Sequence, residues 1–394
     1  MLESAAMKQR KHALLACLIL AISSGALLFA PIGQTLAAPV PSQLSDQQFW
    51  SLSRDLSEED GFFRSDNLLS NENTFQYVIP ELVKSTKQGR VYMGVGPEQN
   101  FTYIAALKPA MAVIVDIRHG NTDVHLMYKA LFELSKDRAE FVSRLFSLKK
   151  PSGLTSQSSA DEIFNAFLKS EGSKELYDEN LKAIQDQLMK KHGFPLTAGD
   201  LDGIKWALNN FYQFGPSISY NSSLSASTPP LVVGASGGFG GGRGGNNQVN
   251  YASLMAANDG NGRYMSYLAS EESFQFLKDL ESRNMLIPVV GDFGGDKALR
   301  AVGKYLKSLD ATVSAFYLSN VEQYLVMDGK WDRFCANAIS LPLDNTSMFI
   351  RSGNGGPFTL GNIGRNGRGG GGGGVGNSSI AFMLPELTPG CGSK

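Results

Sequence analysis

The sequence predicts an α/β protein: a mostly parallel sheet with a large helical insertion after its second strand. Three observations carry this expectation. Short apolar runs alternate with segments of helical periodicity, the pattern of strands buried on both faces. Each run closes on glycine, an acid or a small polar residue. Between the second and third runs lies a long region whose apolar residues recur at helical spacing.

From Ser45 to Asn67 acids alternate with Phe49, Trp50, Leu52, Leu56, Phe62 and Phe63, which reads as a short helix and a loop packed on the main domain. Thr74 to Lys84 reads as a helix, and Gly89 separates it from the first strand. Val91-Tyr92-Met93 begins as a strand and ends in Gly94-Val95-Gly96. A helix over Asn100 to Leu107 leads into Met111 to Ile117, apolar throughout except for Asp116. Val124 to Lys149 and Ser159 to Lys191 are each amphipathic, with Leu126, Leu131, Leu134, Phe141, Leu145 and Phe146 mainly on one side. With a helix over Asp200 to Phe211, they form an insertion spanning about residues 120–215. Ser270 to Arg283 is helical, Leu286 to Val290 a strand, Asp296 to Leu309 a helix and Val313 to Leu318 a further strand.

The 394 residues suffice for two average domains or one large domain with insertions. Hydrophobic residues make up 42% and charged residues 19%, as in an ordinary globular protein. The formal net charge of -1 is scattered among both signs, so nothing supports a nucleic-acid partner, which would call for a basic face. Of the three cysteines, Cys17 lies in the N-terminal apolar run, leaving Cys335 and Cys391 for one disulfide at most. His119 and His125 have the wrong neighbours for a zinc-binding helix, and no third ligand is evident, so no metal is expected.

A basic patch at Lys8 to Lys11, an apolar run from Ala13 to Pro31 and Thr35-Leu36-Ala37-Ala38-Pro39 have the layout of a secretory signal cleaved after Ala37. Two other readings share the pattern. The run is about long enough to anchor the chain in a membrane if uncut, and Leu14-Leu15-Ala16-Cys17 resembles a lipoprotein box. Residues 1–37 are therefore read as an address, 38–87 as a linker and helical lead-in, and 88–352 as the α/β domain. Residues 234–247 read as a glycine-rich loop and 353–394 as a glycine-rich tail, since tracts this dense in glycine lose too much backbone entropy to order unaided.

Open α/β sheets bind nucleotide-like ligands beyond the carboxyl ends of their strands, where strand order reverses. The first strand must end in small residues, the second in an acid for ribose hydroxyls, and later loops must flank the base and the reacting atom. Gly94 and Gly96, then Asp116, then Asp292-Phe293, then Tyr317, Ser319 and Asn320 with Glu322 and Tyr324 just beyond, supply these in order. An acid ending an apolar run also calls for a partner, and Arg118 is the near alternative to a ligand.

The block Val91 to Phe146, opening VYMGVGPEQNF, and the block Tyr267 to Tyr324, containing MLIPVVGDFGG, resemble an uncharacterised bacterial protein family with the Rossmann-like fold of class I S-adenosylmethionine-dependent methyltransferases. The resemblance implies S-adenosylmethionine as cofactor. It sets Gly94 and Gly96 beside the methionine moiety, Asp116 on the ribose, Asp292 and Phe293 around the adenine, and Asn320 near the methyl acceptor. Tyr317 would help orient that acceptor, with Glu322 as a base. The sequence departs from the pattern where Pro97-Glu98 replaces a third glycine, in the long gap from Asp116 to Asp292, and in lacking Asn-Pro-Pro-Tyr after the fourth strand. The competing expectation is an exported binding or scaffold protein that keeps the fold without the chemistry; an exported chain would meet no supply of this cofactor. Either way the partner is a small nucleotide-like molecule, with a membrane involved only through an uncut N-terminus.

Two further matches are discounted. Gly234-Ala235-Ser236-Gly237-Gly238 fits a nucleophile elbow, but every histidine precedes Ser236, whereas that hydrolase fold needs one after it. Gly234, Gly238 and Gly240 mimic a dehydrogenase nucleotide loop without the downstream Tyr-x-x-x-Lys pair.

Overall fold

In the computed structural model the described residues are 39–63, 65–220, 222, 249–353 and 377–388. Six strands form one sheet: β1 (Val91–Gly94), β2 (Met111–Asp116), β3 (Leu286–Val290), β4 (Val313–Ser319), β5 (Met348–Gly353) and β6 (Asn377–Phe382). Their order across the sheet is β3-β2-β1-β4-β5-β6. The first five run parallel, and β6 lies antiparallel on the edge of β5. Every residue of β1, β2 and β3 is buried, as the apolar runs require of a sheet covered on both faces. The chain winds outward from β1 to β3, then crosses back to lay β4 on the other side of β1. That reversal makes the β1–β4 gap the topological switch point of a Rossmann-like sheet.

The helical insertion after β2 is as expected in kind and differs in its breaks. The amphipathic stretch from Val124 to Lys149 falls on two helices, α4 (His119–Leu134) and α5 (Arg138–Phe146), the earlier helices being α1 (Asp46–Leu56), α2 (Ile79–Ser85) and α3 (Gln99–Leu107). Asp137 makes the break by capping α5, its carboxylate accepting the Glu140 N–H at 2.7 Å. The region 159–191 likewise divides into α6 (Ala160–Phe167) and α7 (Lys174–Asp186), followed by α8 (Ala198–Phe214). Amphipathic spacing marks each helical face, but a polar residue such as Asp137 is equally at home mid-surface or as a cap, so periodicity alone runs across the joints.

Capping boxes start α1, α6 and α8. At α6 the Ser159 hydroxyl accepts the Glu162 N–H at 3.1 Å and the Glu162 carboxylate accepts the Ser159 N–H at 2.8 Å. Ser159→Ala is expected to cost about 1 kcal/mol, read as a lower urea midpoint with an unchanged slope. An unchanged midpoint would mean that tertiary packing alone holds this helix.

α4 packs along α8 and against α10 (Glu271–Ser282), after the short α9 (Tyr251–Ala256). Phe101, Tyr128, Phe132, Phe141, Tyr267 and Phe274 interlock there edge-to-face or stacked, all fully buried. α11 (Ala298–Ser308), α12 (Val321–Met327) and α13 (Trp331–Ala338) follow, with α13 packed against both α11 and α12.

The reading of 353–394 as a glycine-rich tail is corrected at its far end. Residues after the glycine tract form β6 and α14 (Met383–Leu387). The open edge of β5 offers unpaired backbone groups that β6 satisfies, and Met383 and Leu387 bury on the core. The glycine tracts themselves, the N-terminal segment and the discounted motifs around Ser236 lie outside the described residues. Among the described residues no helix is long and apolar enough to cross a membrane. Cys335, on α13, is disulfide-bonded.

Candidate functional site

At the carboxyl ends of β1 to β4 the loops part around a cavity open to solvent. Gly96, Asp116, Asp292, Phe293, Tyr317 and Asn320 all line it. Residues separated by more than two hundred positions therefore meet because four parallel strands end at one place. Gly94 and Glu322 do not line it.

Gly94 serves the loop from behind. A Cβ at this position would stand 1.9 Å from Asn100 Oδ1. Asn100, fully buried on α3, donates its amide to the carbonyls of Val95 (2.9 Å), Gly96 (3.1 Å) and Pro97 (2.7 Å) and accepts the Tyr92 hydroxyl at 2.9 Å. His125 adds a bond at 2.9 Å to the Gly96 carbonyl, and burial holds its imidazole neutral with a pKa lowered to about 4. The loop carbonyls thus face the protein, while Gly96, at φ 75°, has open space where a side chain would be.

Asp116 ends β2 buried and held by Arg118. Oδ1 accepts the Arg118 backbone N–H (2.9 Å) and Nε (3.0 Å), and Oδ2 accepts Nη2 at 3.0 Å. A carboxylate offers about four acceptor positions, so one on Oδ2 remains for a ligand hydroxyl. Arg118 itself also donates to the Ser65 carbonyl at 2.8 Å and lies 5.9 Å from the Phe63 ring. Asp292 accepts the Gly294 N–H at 2.8 Å and Lys330 Nζ at 2.5 Å. Phe293 is buried against Phe316 and Phe334, centroids 5.2 and 6.1 Å away, so it lines the wall from within the core.

On the opposite wall the Tyr317 hydroxyl and the Ser319 hydroxyl both donate to Glu72 Oε1 at 2.7 Å, and Gln99 donates to Oε2 at 2.8 Å. Burial raises the Glu72 pKa despite these donors. Ser319 holds φ 51°, a left-handed backbone rare for serine, at the last residue of β4 and on the cavity wall. Glu322 is corrected as a base: its carboxylate sits under Arg351, which donates from Nε (2.7 Å) and Nη2 (3.0 Å), and it is buried away from the cavity. Glu322 does not line the cavity, so its carboxylate does not reach a molecule held there.

Several lining residues carried no signal in the sequence. Phe62, Phe63 and Asn67 arrive on the N-terminal loop, Tyr220 from beyond α8, and Lys330 from beyond β4. Asn67 donates to the Tyr220 hydroxyl at 2.9 Å, and the Phe63 and Tyr324 rings meet edge-to-face at 5.0 Å. Glu98, beneath the glycine loop, is fully buried, with its pKa pushed up to about 8 by desolvation and one oxygen without a partner. The Pro97-Glu98 pair that stands in place of a third glycine was the one available hint.

Fold and site together define an α/β protein with a cavity at its topological switch point. The chain belongs to the family described as Domain of unknown function (DUF7790), which matches residues 68–192 and 248–366. The two matched stretches contain Gly96, Asp116, Asp292, Phe293, Tyr317 and Asn320. No curated protein matches the chain.

Proposed function

We propose that the cavity binds a small nucleoside-bearing molecule, S-adenosylmethionine first among them, and that the protein is methyltransferase-like. The convergence of Gly96, Asp116, Asp292, Phe293, Tyr317 and Asn320 on one cavity at the switch point carries this reading. The residues fit such a ligand. Gly96 leaves its backbone open to approach. The free acceptor position of Asp116 suits one ribose hydroxyl, and Phe62 and Phe63 provide apolar surface for a base. When bound, this cofactor supplies a methyl group already activated by its sulfonium, so the protein's part is alignment and exclusion of water. Asn320, exposed at the end of β4, has both a donor and an acceptor with which to orient a second molecule.

A second reading, an exported binding protein without catalysis, is favoured by a specific observation. The acidic and phenolic groups on the acceptor side are committed elsewhere, Glu322 to Arg351 and Tyr317 to Glu72. The disulfide at Cys335 also suits an oxidising compartment.

Titrating S-adenosylmethionine, S-adenosylhomocysteine and adenosine into the full chain tests binding by calorimetry and thermal shift. At a hundredfold excess over Kd the ligand is expected to add about 2.7 kcal/mol of stability, and Asp116→Ala to abolish saturation. Absence of binding at millimolar cofactor sinks the first reading. Binding without methyl loss across a panel of acceptors moves the assignment to the second.

A further inference from the structure

Away from the cavity, three ligand-type side chains meet where α4 and α8 begin. His119 opens α4, and Asp123, one turn later, shares its face. Asp200 comes from the first turn of α8 and is oriented by its capping box: Oδ2 accepts the Thr197 N–H at 2.6 Å, which turns Oδ1 to His119 Nε2 at 2.6 Å. Asp123 Oδ1 lies 3.7 Å from the same nitrogen. One ligand atom from each residue falls within 4.8 Å of the others.

Asp123 is the telling member. Its side chain is only 5% exposed, and Oδ1, aimed at His119, has no hydrogen-bond partner. A buried carboxylate oxygen left unpaired is costly and calls for an ion or water. The protein also makes room for this carboxylate: a Cβ at Gly203 on α8 would stand 2.1 Å from Asp123 Oδ2. Negative charge is in excess, because Asp60 also stands here, accepting the His119 N–H at 2.6 Å. His119, 39% exposed, opens to a cleft lined by Trp50, Glu58, Glu59, Thr122 and Lys297, which gives an ion a route in.

We propose that His119 Nε2, Asp123 Oδ1 and Asp200 Oδ1 bind a divalent transition-metal ion, with its remaining positions open toward the cleft. One imidazole with two carboxylates suits Zn²⁺ or Mn²⁺, whereas Ca²⁺ and Mg²⁺ favour all-oxygen sets. Arg118 lines the nucleoside cavity and the next residue, His119, lines the cleft. The ion therefore ties down the start of α4 immediately after the Asp116–Arg118 pair. The proposal does not depend on what the cavity binds.

The test is titration of Zn²⁺, Mn²⁺ and Mg²⁺ into chelator-stripped full chain, by calorimetry and thermal shift without any nucleoside. One Zn²⁺ or Mn²⁺ per chain is expected, with a raised Tm, and weaker or no response to Mg²⁺. Loss of an outer-shell partner alone weakens metal sites by about 10–100-fold, so Asp123→Asn and His119→Gln are each expected to exceed that. His119→Gln, at a half-exposed position, keeps the test decisive where Asp123→Asn fails to fold. No binding of Zn²⁺ or Mn²⁺ at millimolar concentration overturns the proposal. So does binding of unchanged affinity in His119→Gln.

Discussion

Gly94→Ala is expected to destabilise the protein by about 4 kcal/mol, from overpacking and from buried polar groups left unpaired. The added Cβ would overlap Asn100 Oδ1 at 1.9 Å, and the backbone of a buried strand cannot yield. Asn100 must swing away, and then the Tyr92 hydroxyl and the carbonyls of Val95, Gly96 and Pro97 lose a shared partner inside the protein. Gly96→Ala is the contrast. It meets no atom within 4 Å but sits at φ 75°, so the expected cost is only about 1–2 kcal/mol of left-handed backbone strain. Urea unfolding of both variants, with Asn100→Ala in each background, separates the two causes. Coupling between positions 94 and 100 but not between 96 and 100 is the expected result. Equal costs at both glycines would mean that the Asn100 bracket does not hold the loop.

The second large effect is a loss of stability on the alkaline side. Glu98 and Glu281 are both fully buried, and desolvation pushes each pKa up to about 8 from an ordinary value of 4.5. A raised carboxyl keeps its proton in the fold while the unfolded chain gives it up. Its contribution is therefore whole below pH 4.5 and is lost as pH rises through 8. His125 has the opposite sign. Its pKa is lowered to about 4 from 6.5, so its contribution is present above pH 6.5 and lost as pH falls through 4. Glu133, lowered to about 2 against desolvation by the His192 and Lys129 side chains, likewise favours the fold above pH 4.5. Between pH 6.5 and 8 the two glutamates act alone among these four, at about 1.4 kcal/mol per pH unit each. Glu98→Gln is expected to make that slope shallower by about 1.4 kcal/mol per pH unit in pH-dependent denaturation. A slope that stays the same in Glu98→Gln would show that its carboxyl ionises near its ordinary value.

Much of this molecule was legible from its residues. A strand buried on both faces must be apolar along its length, so Val91 to Met93, Met111 to Val115, Leu286 to Val290 and Val313 to Leu318 announced themselves and, by their order, a parallel sheet. Gly96, Asp116, Asp292 and Asn320 were readable because strand ends are where such a sheet can hold a ligand. The edge strand β6 was hidden behind a glycine tract, since pairing on an open edge depends on what β5 leaves unpaired and little on the added strand's own sequence.

Partnership was the part that remained illegible. Whether Asp116 waits for a ligand or holds Arg118, and whether Glu322 is free or lies under Arg351, depends on angles between side chains that spacing does not encode. His119 and Asp123 are four residues apart, yet their third companion, Asp200, stands on another helix and is turned toward them by Thr197. Glu72 meets Tyr317 and Ser319 across the fold. The sequence by itself determined the class of fold and the end of the sheet where the cavity lies, because burial and strand polarity are properties of local pattern. Only the tertiary structure decided which polar groups are spent on each other and which are left for a ligand. Hydrogen bonds and ion pairs act over a few ångströms in space, between residues that the chain holds far apart.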